Sequence, residues 1–434
     1  MASSLPLTLR LYQRLSSAAV PLAPALIQRR LKQGKEDPAR VGERRGVSDD
    51  VRPSGPLVWI HGASVGEVLA AAALIERLRE LNLRILLTSG TVTSAAIVAK
   101  RFPADIIHQY VPYDSPRYVA RFLDHWRPSL ALFIESDLWP NLILSSAARR
   151  LPMVLINGRM SHRSFPRWRR LNTTISALLG RFDICMVQSQ VDAERFAALG
   201  SRNVITTGNL KLDVPAPPAD AAKLERLMSV TRGRPIIVSA STHPGEEDML
   251  VDTHRVLADL FPSLLSVVVP RHPDRGATIA RTVGATGLRV GLRSHEELPT
   301  ATTDIYIADT MGELGLFYRL APIVFMGGSL VRHGGQNPIE AVKLGASIVH
   351  GPHVFNFSDV YEALDKAGGA RVADNQEALV KQLGRLLADP AARESSVAAS
   401  TRVVEQLGGA LERTMAALEP YLLQLRLEMG AASA

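Results

Sequence analysis

Short apolar runs alternate along most of this chain with longer stretches whose apolar positions recur every three or four residues. The runs Leu57 to Ile60, Arg84 to Leu87, Ile106 to Tyr110, Leu130 to Ile134, Met153 to Ile156, Ile184 to Val187 and Val204 to Thr206 read as strands buried on both faces. Helices begin between them near Glu67, Ser94, Pro116 and Leu138. After the proline-stiffened segment Val214-Pro215-Ala216-Pro217-Pro218-Ala219, a second series runs Ile236 to Ala240, Leu265 to Pro270, Ile305 to Ala308, Ile323 to Gly327 and Ser347 to His350. Its helices start from Glu246, Gly276, Glu313 and Pro338. The alternation predicts an α/β protein of two Rossmann-like, doubly wound domains facing each other across a cleft.

The boundaries that follow are an N-terminal segment over residues 1–35, a first Rossmann-like domain over 36–212, a linker over 213–232 and a second domain over 233–434, whose last helix is free to pack back on the first. Residues Leu5 to Leu31 mix leucines with Arg10, Arg14, Arg29 and Arg30, which suits either a membrane interface or a helix pair packed on the protein itself. Pro21 and Pro24 break this stretch in two.

Length and composition narrow the class. A chain of 434 residues exceeds one ordinary core, and its one cysteine, Cys185, rules out a disulfide framework or a thiolate zinc cluster. The formal charge of +8 favours anionic partners, but the basic residues are dispersed and aromatic residues make up only 5%, which argues against nucleic acid. No apolar run is long enough to propose a transmembrane helix, and no signal-peptide cleavage pattern is present.

Candidate chemistry gathers where strands end. In His61-Gly62-Ala63-Ser64-Val65-Gly66-Glu67, glycines shape a turn and Glu67 opens a helix, either as a macrodipole partner or as a reactive carboxylate held by rigid elements. The loop lacks G-x-G-x-x-G, and no acidic residue ends the next strand, which counts against a nicotinamide or flavin enzyme; no Walker A lysine pattern is present either. In the second half, Arg271 and His272 follow a strand, and Met311-Gly312-Glu313 opens a helix. Asn337-Pro338-Ile339-Glu340 caps another helix, after four nearby glycines. Helix amides and a guanidinium suit a phosphate, and Glu340 can accept from ribose hydroxyls; the alternative is a capped helix whose carboxylate serves only its dipole.

The H-G-A-S-V-G-E loop, the P-R-H-P, M-G-E-L and G-G-Q-N-P-I-E-A segments and Asn209-Leu210-Lys211 together resemble the Kdo transferases, the GT-B glycosyltransferases that add 3-deoxy-D-manno-octulosonic acid in lipopolysaccharide biosynthesis. The resemblance spans nearly the whole chain. It implies Glu67 as catalytic base and carries over Glu135 of the F-x-E-x-D-x-W-P stretch and Lys211 as catalytic candidates, Glu135 being either that or a structural carboxylate paired with a neighbouring base. It also implies CMP-Kdo as donor, its CMP held by Arg271, His272, Met311, Gly312, Glu313, Asn337, Pro338, Ile339 and Glu340.

The same resemblance implies a lipid A precursor as acceptor, inversion at the donor carbon, and no metal or other cofactor. Its setting would be the cytoplasmic face of the bacterial inner membrane, with an anionic membrane surface as partner. Ser64 and Gly66 are read as shaping the Glu67 loop, and Arg163, in the basic run Arg159 to Arg170, as an acceptor-phosphate or lipid contact. Rival readings are another GT-B nucleotide-sugar transferase or epimerase, and a non-catalytic nucleotide-sugar sensor.

Overall fold

Every residue of Leu57–His61, strand β1, is buried, as a central parallel strand requires. Its side chains alternate between two cores: Leu57 and Trp59 join Phe122, Trp126 and Phe133, whereas Val58 and Ile60 join Leu74, Leu132 and Ile156. The remaining strands of this sheet are β2 (Arg84–Ser89), β3 (Ile107–Tyr110), β4 (Leu130–Ile134), β5 (Met153–Gly158), β6 (Ile184–Val187) and β7 (Val204–Thr206). They lie parallel in the order β3-β2-β1-β4-β5-β6-β7. In this computed structural model, which describes residues 5–213 and 216–433, the chain forms two compact units, Met1–Asp213 with Gly408–Ala434 and Val214–Leu407.

The first unit closes its sheet with both chain ends. Helix α1 (Leu7–Ala18) inserts Leu9 into the Trp59 core, and helix α2 (Ala23–Lys32) buries Ala23 and Ile27. The terminal helix Ala410–Ser433 places Leu418, Leu422 and Leu425 in the opposite core. Thus the last helix belongs with the first sheet rather than with the second domain. Among the described residues no helix is long and apolar enough to cross a membrane. Residues 1–4 of the predicted N-terminal segment lie outside the described residues.

The second unit repeats the plan. Strands β8 (Ile236–Thr242), β9 (Leu265–Pro270), β10 (Val290–Leu292), β11 (Ile305–Ile307), β12 (Ile323–Met326), β13 (Ser347–His350) and β14 (Ala370–Val372) are parallel in the order β10-β11-β9-β8-β12-β13-β14. The short edge strands β10 and β14 carry too little apolar pattern to stand out in the sequence. Within the linker expected over 213–232, Ala221–Val230 forms a helix and the Pro217 carbonyl accepts from Arg319 Nη1 at 2.6 Å. Gly315 exists for this contact: a Cβ there would stand 2.4 Å from the Pro218 oxygen.

In each sheet the strand order reverses beside the first strand, between β1 and β4 and between β8 and β12. Loops leaving such a pair diverge and open a crevice at the carboxyl ends. Those loops carry Glu67 and Glu135 in one unit, and His243 and Gly327 in the other.

Candidate functional site

In the first unit, Ser64 begins helix α3 (Val65–Ala70), its Oγ accepting from the Glu67 N–H at 3.3 Å. Glu67 returns the interaction. One carboxylate oxygen accepts from Ser64 Oγ at 2.9 Å and the other from the Ala63 N–H at 2.7 Å. This is a capping-box variant, so the macrodipole reading and the reactive reading describe the same well-fixed side chain. Two acceptors are used out of about four lone-pair positions on a carboxylate, leaving room for a substrate proton. Burial pushes the Glu67 carboxyl above its ordinary range; the Ser64 and Ala63 hydrogen bonds oppose that shift, and the charges of Glu135 and Asp137 add to it.

Gly62 makes the tight turn, since a Cβ would approach Glu67 Cβ at 3.2 Å. Gly66 does not serve a tight turn, contrary to the sequence reading. It is helical, and a Cβ would meet nothing nearer than Ser64 Oγ at 3.9 Å. The helix expected from Glu67 divides at Ala71 and resumes at Ala72–Glu80.

Glu135, directly after β4, adopts a left-handed backbone at φ 63°, a conformation that costs about 1 kcal/mol or more outside glycine. Its Oε1 accepts from Lys211 Nζ at 2.5 Å. Lys211 sits in the turn Leu210–Leu212, which Asn157 Oδ1 anchors by accepting from the Leu210 N–H at 3.0 Å, and α3 packs against that turn. Asp137 adds a third acid, kept below its ordinary range: burial alone would raise it, and the contact with His61 Nε2 at 3.4 Å together with the Trp139 Nε1 hydrogen bond at 2.7 Å outweighs that. Glu67, Glu135, Asp137 and Lys211 are therefore one electrostatic group.

Arg163 joins none of these hydrogen bonds and is exposed at the start of Ser164–Arg170. In that helix Trp168 packs inward on the Trp59 core while Arg167, Arg169 and Arg170 face solvent. Trp168 is thus partly buried against that core.

The second unit presents a matching switch-point arrangement that sequence reasoning missed. Glu246 is fully buried and accepts from the N–H groups of His243, Gly328, Ser329 and Leu330 at 2.7 to 3.0 Å, tying the loop after β8 to the loop after β12. Burial raises its carboxyl and these four bonds work against that rise. Gly327 is obligatory, because a Cβ would stand 2.5 Å from the Ser241 oxygen.

Around this frame the His243 ring stacks on His333 at 4.1 Å between centroids and meets His272 edge-on at 6.2 Å. Burial, then His333, His272 and Arg271, hold the His243 imidazole below its ordinary range, so it is neutral near pH 7. The signal was present in Thr242-His243-Pro244-Gly245-Glu246, a small-residue turn leading to a carboxylate just as in the Glu67 loop.

Arg271 and His272 are exposed beside this cluster. Glu340 is raised by burial and partly lowered by Arg271 and Lys343, which places Arg271 and Glu340 in one neighbourhood. Asn337 Oδ1 accepts from the Ile339 N–H at 3.1 Å, and the helix starts at Ile339, one residue later than expected. Pro338 and Ile339 are buried, so their side chains belong to the packing beneath this helix start.

Met311 is exposed at a cavity of about 500 Å³ walled also by Lys223, Arg226, Arg293 and Ser294, and its neighbour Gly312 is exposed as well. Glu313 already accepts from Arg293, Lys223 and Thr310. The Arg293 hydrogen bond is the main cause of its carboxyl falling to about 2, so Glu313 braces this loop rather than offering a free acceptor.

Two doubly wound parallel units, each with polar loops at its switch point, make up a GT-B-type fold. A glycosyltransferase from Rickettsia africae shares this fold at TM-score 0.56 and 14% identity, over 86% of this chain and 99% of that one. A putative UDP-N-acetylglucosamine 2-epimerase from Listeria monocytogenes does so at TM-score 0.54 and 15% identity, over 85% and 97%. The family model described as 3-deoxy-D-manno-octulosonic-acid transferase (kdotransferase) matches residues 39–214. The 3-deoxy-D-manno-octulosonic acid transferase of Haemophilus influenzae is 34% identical over 88% of this chain and 91% of its own. The chain belongs to the Kdo transferase family and is a glycosyltransferase.

Proposed function

We propose that this enzyme transfers Kdo from CMP-Kdo to a sugar hydroxyl of a lipid A precursor, with inversion at the donor carbon and Glu67 as general base. The observation that carries the reading is the Glu67 carboxylate itself. It is fixed by Ala63 and Ser64, raised by burial, and retains acceptor capacity. The acceptor hydroxyl gives its proton to Glu67 as its oxygen bonds to the donor carbon, and the bond to the CMP phosphate breaks with its electron pair leaving on CMP. A single displacement of this kind inverts the carbon. Lys211 compensates the charge of Glu135 so that Glu67 can ionise at working pH.

Donor recognition is assigned to the second unit. Arg271 suits the phosphate, the His243 and His272 rings stand beside it, and Glu340 and the Met311–Gly312 segment suit the nucleoside. No cofactor is assigned, because these residues supply the charge that the departing CMP requires.

The enzyme is placed peripherally on the cytoplasmic face of the inner membrane. Support comes from α1 and α2, where Leu7, Leu11 and Leu15, then Leu22 and Leu26, form exposed stripes at four-residue spacing, opposite buried Leu9, Ala23 and Ile27. Arg10, Arg14 and Arg29 are also exposed and suit anionic headgroups.

The test is Glu67→Gln, assayed with CMP-Kdo and a tetraacylated lipid A precursor. Turnover should fall about 100-fold or more while CMP affinity stays within about twofold. Product mass and the configuration of the new bond are read from the wild type. Unchanged turnover in Glu67→Gln removes the base assignment, and a product with retained configuration removes the single displacement.

A further inference from the structure

Arg44 is a buried cation outside every motif discussed above, with a side chain only 3% exposed. Buried guanidinium groups are costly unless their donors are used. Here three nitrogens donate: Nε to Glu36 Oε2 at 2.8 Å, Nη1 to the Val111 carbonyl at 3.1 Å, and Nη2 to the Gly90 carbonyl at 2.7 Å. Its guanidinium also lies over the Tyr110 ring at 4.6 Å.

Gly90 is the residue through which this reaches the active loop. Its N–H donates to the Ala63 carbonyl at 2.9 Å, and a Cβ at Gly90 would stand 2.7 Å from that oxygen, so only glycine permits the contact. The Ala63 N–H in turn donates to Glu67. On the other side, Glu36 is held by Arg30 of α2 at 2.6 Å and by Tyr113 Oη at 3.2 Å. Arg30, Arg44, Ala63, Gly90, Tyr113 and Trp139 line one cavity of about 170 Å³, so a group entering it meets both ends of this chain of contacts.

The geometry points to Arg44 as a positioning residue for sugar transfer: it fixes the Glu67 loop through Gly90 and fastens that loop to the N-terminal helix pair through Glu36 and Arg30. The inference rests on Glu67 being the base. Loosening Gly90 frees Ala63 to turn its N–H away from the Glu67 carboxylate. A hydrogen bond to the ionised form lowers a carboxyl, so its loss raises Glu67 and moves the acidic limb of the kcat profile to higher pH. The other groups facing Glu67, namely Glu135 with Lys211 and Asp137 with His61, are untouched by this change.

The experiment compares full pH profiles of wild type, Glu67→Gln, Arg44→Lys and Arg30→Gln with CMP-Kdo and the lipid A precursor. Lysine can replace only part of the Arg44 fork, so kcat should fall about tenfold, with the acidic limb raised by about half a pH unit and donor KM within about twofold. Arg30→Gln, at a site 33% exposed, keeps the fold intact and should show the same limb shift in weaker form. If Arg44→Lys does not fold, the Arg30→Gln profile decides alone. A limb that stays in place in the folded variants overturns the positioning role, as does a rate loss that merely follows the fall in Tm. If residual activity of Glu67→Gln keeps the wild-type limb, the base assignment has failed instead, and the two failures are told apart.

Discussion

Lys211 Nζ lies 2.5 Å from Glu135 Oε1, and this contact joins the turn before the second unit to the carboxyl edge of β4. It sets a cation against Glu135, one of the two charges that raise Glu67. Removing either partner should therefore move the acidic limb of kcat in opposite directions. Lys211→Met leaves Glu135 uncompensated and should shift the limb up, whereas Glu135→Gln leaves a lone cation and should shift it down, each by about half a unit or more. Shifts of the same sign would show that the pair acts on Glu67 by position rather than by charge.

Wild-type activity should itself report the environment of Glu67. Burial raises its carboxyl above the ordinary 4.5, and a base works only when ionised, so the acidic limb should lie above that value. The stability effect has the opposite sense: the folded state binds this proton more tightly than the unfolded chain. The contribution of Glu67 to stability therefore grows as pH falls through the raised value. Chemical denaturation of wild type and Glu67→Gln across this range measures the difference.

Arg293 has no motif to mark it, yet it holds Glu313 through two hydrogen bonds of 3.0 and 3.1 Å. Arg293→Ala should loosen the Met311–Gly312 loop and weaken CMP about tenfold, roughly 1.4 kcal/mol, with kcat at saturating donor nearly unchanged. Calorimetric titration with CMP gives the answer directly. An unchanged affinity would place the nucleoside elsewhere than the cavity beside this loop.

The exposed leucines of α1 give a test of membrane attachment that leaves the core alone. Leu11→Glu with Leu15→Glu alters side chains 53% and 61% exposed, opposite the buried Leu9. Thermal stability should change by less than about 1 kcal/mol, whereas binding to vesicles containing anionic lipid should fall at least tenfold. Sedimentation with vesicles separates these outcomes, and undiminished binding would assign attachment to other residues.

The alternation of buried strands with amphipathic helices was enough to place twelve of the fourteen strands and to announce two parallel sheets, because a strand covered on both faces must be apolar throughout. Glu67, Glu135 and Lys211 were legible from their motifs, and Gly62 from the turn it makes. Tertiary structure alone decided that the last helix covers the first sheet, that Trp168 faces inward, and that Glu313 is a brace. It alone joined Arg44 to Gly90 and Glu246 to Gly328. Local pattern records which side chains want burial; which polar atoms meet depends on strand order, and strand order brings together residues with no mutual trace in sequence.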